Sequence, residues 1–129
     1  MKRPVSTDRA PKPGPYSQGV LAGDTLYVSA VGPVDPATGE VAGDTIEAQA
    51  ARAIENVRAI VQAAGGTLDD VVKVTAFLAD LADFQKFNAV YQQHFKPPYP
   101  ARSTVQVVLN RGLIVLDAVA YLGKDTNEG

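Results

Sequence analysis

The 129-residue chain has no cysteine, one histidine and a formal net charge of only −2 at pH 7. Each scarcity removes a class of chemistry. Without cysteine there is neither a disulfide framework nor a thiol nucleophile, which suits a reducing compartment. A lone histidine, His94, leaves no cluster with metal-ligand spacing, so no metal site is expected. Basic residues do not gather: Lys2, Arg3, Arg9 and Lys12 are spread along a proline-rich start. The phosphate contacts that a nucleic-acid partner demands are therefore missing. No run approaches the roughly 18 apolar residues of a membrane span. The opening "MKRPVSTDRAPKPGPY" is basic but lacks the apolar core of a secretion signal. The reading is a soluble, cytoplasmic protein with no nucleic-acid and no membrane partner.

What is present fits one domain over residues 1–129, with 1–13 as an extended leader. Hydrophobic residues make up 46% and charged residues 20%, ordinary values for a chain able to bury about two-thirds of its unfolded surface. Two β-type runs in "YSQGVLAGDTLYVSAV" (16–31) flank Gly23–Asp24, a hairpin signal. "GPVDPATGE" (32–40) is a loop. Asp44 with Glu47 resembles a capping box before a helix striped by Ile46, Ala50, Ala53, Ile54, Val57, Ile60, Val61 and Ala64, which Gly65–Gly66 end. A strand over 70–79 follows, with Val72, Val74, Ala76 and Leu78 on its apolar face. A second helix over 83–95 carries Phe84, Phe87, Val90, Tyr91 and Phe95 on one side, and prolines 97, 98 and 100 stop it. Strands at about 101–109 and 113–122, turning at Asn110–Arg111–Gly112, complete a β-β-α-β-α-β-β order. This is an α+β domain, a sheet with two helices on one face.

Two helices cover only one face. Val115, Val119 and Tyr121 share the other with Asp117, a patch too apolar for a monomer to leave in water. That face is expected to pack against further copies of the chain.

Within "KPPYPARSTVQVVL" (96–109), Arg102 stands at the mouth of an aliphatic strand. A strand-end arginine can snorkel to water or pair with an acid on a neighbouring strand. Alternatively, its rigid fork is a receptor for a small carboxylate ligand, with Ser103 and Thr104 as small polar neighbours. Both readings stand on the residues alone.

"GPYSQGV" (14–20), "TGEV" (38–41), "LADFQKFNAVY" (81–91) and "YPARSTV" (99–105), in this order and spacing, resemble the RidA (YjgF-type) family of reactive-intermediate imine deaminases. The resemblance spans about residues 10–123. It implies a chorismate-mutase-like fold, a homotrimer with clefts between subunits, and no metal or organic cofactor. It further implies hydrolysis of enamine or imine acids such as 2-aminoacrylate or 2-iminopropionate to a 2-keto acid and ammonia.

The implied roles fall on particular residues. Arg102 would bind the substrate carboxylate. Tyr16 would close the cleft from the neighbouring subunit, or else simply plug the strand start. Ser29 matches the serine of the second strand, although Ala30–Val31 replace the usual Gly-Gln after it. Asn88 matches the helix asparagine, which could equally serve structure alone. Thr104 stands where many members carry cysteine, and its hydroxyl could hold water or the substrate nitrogen.

The last strand departs from the family. Its pattern Ile-Glu-Ile-Glu-Ala, with the first glutamate catalytic, meets "LIVLDAVAYL" (113–122), which puts Val115 at that position and Asp117 at the second acid. The preceding turn is about two residues short, and a two-residue slide would bring Asp117 to the catalytic place without changing faces. Two functions follow: an imine deaminase, weakened without the glutamate, or a non-catalytic trimer that binds small carboxylic acids. The RNA cleavage attached to the family by name finds no basic groove here.

Overall fold

The structure is a computed structural model that describes residues 1–123. Six strands and two main helices form: β1 Lys2–Val5, β2 Gly19–Ala22, β3 Thr25–Val31, α1 Ile46–Ala63, β4 Val71–Leu78, α2 Phe84–His94, β5 Ala101–Gln106 and β6 Ile114–Tyr121. They build one sheet in the order β1-β2-β3-β6-β4-β5. Every neighbouring pair is antiparallel except β4 with β5. A parallel pair cannot be joined by a tight turn, and α2 supplies the crossover. The α+β layout is the expected one, with both helices on a single face.

Local chemistry explains most boundaries, and it corrects several expectations. The leader is a sheet strand: Lys2 lies opposite Ala22 and Val5 opposite Gly19. An edge strand tolerates Pro4 because only one of its sides must pair, so "KRPV" carries no strand signal of its own. The buried Gln18 ties the next residues down. Its Oε1 accepts from Thr7 N at 2.7 Å, while its Nε2 donates to the carbonyls of Thr7, Ala10 and Pro11.

Helix α1 is capped by Thr45, not by Asp44. Thr45 is extended, and its Oγ1 accepts from Ala48 N at 3.2 Å, a reach that Asp44 has one residue too early. In β4, Val71 is buried and Val72 half exposed, against the expected apolar face. Val71 pairs with Ala120 but Lys73 with Val119, so two residues of β4 span one of β6. That bulge resets the alternation. Strand β5 stops at Gln106 rather than 109, because its one partner β4 ends at Leu78. Val108 beyond it is fully exposed.

The core lies between the helices and the inward residues of three strands: Leu26 and Val28, Val74, Ala76 and Leu78, and Ile114, Leu116, Ala118 and Ala120. Against them pack Ala50, Ala53, Ile54, Val57, Ile60 and Val61 of α1, with Phe87, Val90 and Tyr91 of α2. Two buried amides of α1 serve as anchors. Asn56 Nδ2 donates to the carbonyls of Gly32 (3.0 Å) and Val34 (2.9 Å), and its Oδ1 accepts from Arg52. Gln49 Oε1 accepts from Leu113 N, and its Nε2 donates to Gly43 O. Gly112, at φ +77°, is needed here, since a Cβ would come within 2.9 Å of Pro33.

Replacing Asn56 with alanine deprives the part-buried carbonyls of Gly32 and Val34 of this donor and opens a void. The expected cost is about 2 kcal/mol or more, which lowers the thermal midpoint by roughly 5–10 °C. An unchanged midpoint by circular dichroism would show that the 32–34 loop is held by other contacts.

The second face of the sheet carries no helix. Across it run three rows: Tyr27, Val119, Lys73 and Ala101; then Asp117, Thr75 and Ser103; then Val115, Phe77 and Val105. Tyr27 and Tyr121 are each about half exposed there.

Candidate functional site

The position of Arg102 follows from register. On β5, Arg102 lies beside Val74 and Thr104 beside Ala76, and both β4 partners point inward. Arg102 and Thr104 therefore stand on the helix-covered side of the sheet, on its outermost strand. The prolines after α2 turn the chain so that this strand starts directly beneath the helix. Asn88 Oδ1 accepts from Arg102 Nη2 at 2.7 Å. The guanidinium carbon sits 4.7 Å from the ring centre of Tyr91, 5.0 Å from Phe87 and 5.6 Å from Phe84.

Neither simple alternative describes this arginine. It is half-buried rather than free in water, and among the described residues it pairs with no acid. A guanidinium has five N–H donors, and the bond to Asn88 occupies one. A cavity of ≈ 350 Å³ opens beside it, lined by Asn88, Tyr91, Gln92, Tyr99 and Pro100. The Tyr91 hydroxyl is buried without a partner. Burial pushes its pKa up to about 12, against a smaller lowering by Arg102, so it stays protonated through the neutral range. A fixed cation facing a cavity, with no anion of its own, is suited to take an anionic ligand.

Tyr16 and Ser29 lie elsewhere. They line a larger cavity of ≈ 500 Å³ between the leader and the 32–40 loop, together with Asp8, Lys12 and Arg111. Tyr16 is exposed, and Ser29 Oγ donates to Ser17 O at 2.6 Å. Arg111 donates to Gly39 O across the cavity rim. The row Val28, Ala118, Val74, Arg102 crosses three strand spacings. That puts β3 about 14 Å from Arg102.

Asp117 and Val115 occupy a third place. Asp117 is paired with Thr75 and Val115 with Phe77, on the helix-free face. Within one chain, Asp117 is thus on the opposite side of the sheet from Arg102. Val115 Cγ2 comes within 3.9 Å of where a Cβ on Gly32 would lie, and Gly32 lines the larger cavity. The fold therefore joins Arg102 with Asn88, keeps Thr104 two residues along, and holds Tyr16 with Ser29 and Asp117 apart from them. His94 is engaged by its own helix, its Nδ1 against Val90 O at 3.0 Å. No group of three or more metal-ligating side chains occurs among the described residues. No helix among them is long and apolar enough to cross a membrane.

The sequence reading placed Phe84, Phe87 and Tyr91 on the apolar side of α2 and missed their contact with Arg102. Their spacing of three and four was the available signal, since it brings all three to one stripe beside Asn88.

Comparison with known proteins gives a consistent result. The family model described as Endoribonuclease L-PSP matches residues 7–119. A RutC family protein of Saccharolobus solfataricus is 56% identical over 108 residues, covering 83% of this chain and 86% of that protein. TdcF of Escherichia coli, named as a reactive intermediate deaminase, is 47% identical over 111 residues, 83% of this chain and 85% of its own. The crystal structure of RidA from Psychrobacter sp. PAMC 21119 superposes with a TM-score of 0.89 at 42% identity, covering 92% of this chain and 98% of that one. That of E. coli TdcF with bound serine gives 0.86 at 40% identity, with the same coverage.

Proposed function

The chain belongs to the RidA (YjgF-type) family, and from that premise we propose that it hydrolyses small 2-imino acids to 2-keto acids and ammonia. The observation that carries this reading is Arg102, held by Asn88 at a cavity with no acid of its own. Serine, present in the TdcF structure, bears the kind of carboxylate that this fork would grip. The acceptor atoms of a carboxylate match two parallel N–H groups, which orients the adjacent C=N carbon.

In the reaction, water adds to the imine carbon, the resulting carbinolamine expels ammonia, and the C=O of the keto acid remains. The separation of Arg102 from Tyr16 and Ser29 within one chain favours a cleft shared between copies. One copy supplies Arg102, Asn88 and Thr104, and its neighbour supplies Tyr16 and Ser29. The apolar helix-free face gives the copies a surface to share, and a homotrimer is the assembly proposed. Thr104 is assigned to holding water or the substrate nitrogen. Asp117 is the acid available to a cleft built on that face, because Val115 cannot take a proton. We place the activity in the cytoplasm, which a cysteine-free chain suits.

Val115 also supports a second reading, a non-catalytic homotrimer that binds small carboxylic acids. Both readings are tested by generating 2-iminopropionate in the cuvette with a dehydratase and following its decay, beside sedimentation at micromolar concentration. Accelerated decay with a trimeric boundary is expected for the deaminase. Micromolar pyruvate binding by calorimetry without acceleration would select the binder. A monomer that neither binds nor accelerates would overturn both.

A further inference from the structure

Arg102 is surrounded in an unusual way for a group at a ligand cavity. Three aromatic rings of α2 stand within 6 Å of its guanidinium carbon, the range over which a ring face attracts a cation. Phe87 and Tyr91 are themselves fixed in the core, and they meet edge to face at 5.6 Å. Tyr91 in turn stacks on Phe95 at 4.4 Å. Phe84 differs: it lies at the first turn of α2 and is only partly buried. Asn88 fixes the remaining freedom by accepting from one Nη.

Resting on the carboxylate-receptor reading above, we infer that Phe84, Phe87 and Tyr91 are positioning residues that hold the Arg102 fork in its binding orientation before ligand arrives. An unrestrained arginine has several rotatable bonds, and ordering them on binding opposes affinity. Rings packed around the guanidinium remove that freedom in the empty protein. They also exclude water from the side of the cation away from the ligand, which strengthens its pull on an incoming carboxylate. The arrangement leaves affinity dependent on Phe84 and Phe87, which do not line the ligand cavity.

Phe84 is the residue to test, since it contributes to the enclosure without filling the core. Phe84→Met keeps bulk and helix propensity but removes the ring face. Phe84→Trp supplies a stronger one. Pyruvate is the calorimetric probe for the wild type, both variants and Arg102→Ala, with thermal midpoints measured on the same samples.

The expected result is a five- to tenfold weaker Kd for Phe84→Met and a wild-type or tighter Kd for Phe84→Trp. Midpoints of the two Phe84 variants should agree within a few degrees, and any turnover should show the change in KM rather than kcat. Wild-type affinity in Phe84→Met, with binding lost in Arg102→Ala, would overturn the enclosure while leaving the receptor intact. Wild-type affinity in Arg102→Ala would overturn the receptor itself, and the enclosure with it.

Discussion

Arg102→Ala is expected to remove saturable pyruvate binding and to lower kcat/KM for imine hydrolysis by at least about a hundredfold. A charge-assisted hydrogen bond contributes roughly 1.5–3 kcal/mol, and a carboxylate on a guanidinium takes two of them. Two such bonds come to about 3–6 kcal/mol net of the exchange with water, so a loss of about 2.7 kcal/mol, a factor of a hundred, is a lower bound. Arg102→Lys should recover only a minor share, since an ammonium offers a point charge in place of two parallel donors. The assay is decay of enzymatically generated imine at several concentrations, with folding checked by circular dichroism. Alanine and wild type decaying the imine at equal rates, both faster than buffer, would place the chemistry elsewhere.

The second large effect runs in the opposite direction. Val115→Glu is expected to raise kcat by about a hundredfold, the lower end of what a positioned general base contributes. Val115 is half-buried on the helix-free face, close to Gly32 at the larger cavity. A carboxylate there would meet solvent or a neighbouring copy rather than the apolar core. Asp117 lies two residues away on the same face, about 6–7 Å along the strand. Asp117→Asn in the wild type and in Val115→Glu separates their roles. If Asp117 supplies the base at present, its loss abolishes the wild-type rate but spares the glutamate variant. No gain from Val115→Glu, in a protein that still binds pyruvate, would show that this position does not face the reacting carbon.

Much of the architecture was legible because it rests on patterns with a single physical meaning. The stripe from Ile46 to Ala64 could only be a helix with one buried side. The prolines after His94 forced a turn, and alternation along β6 separated Leu116 from Asp117 correctly. What escaped the sequence depended on long-range partners. Strand β1 exists because β2 offers it an edge, and nothing in "KRPV" states that. The bulge at Val71–Lys73 arises from pairing with β6, so a regular alternation misassigned Val72. Gln18, Gln49 and Asn56 carry no sequence signal of burial, yet each is buried with its amide donating to loop carbonyls elsewhere.

The candidate site divides in the same way. Arg102 and Asn88 are 14 positions apart, and their contact became visible only once α2 was laid over β5. Phe84, Phe87 and Tyr91 satisfied the helix pattern completely, so the spacing that also sets them beside Asn88 was read only as a core stripe.

The sheet itself stands between the arginine and the two strand positions Val115 and Asp117. A backbone layer of this kind uncouples inheritance of grip from inheritance of reactivity. If Arg102 is the receptor proposed above, side chains on one surface can be exchanged while the opposite surface keeps the guanidinium in place. On that reading, a single replacement at Val115 or Asp117 changes reactivity without disturbing the packing around Arg102.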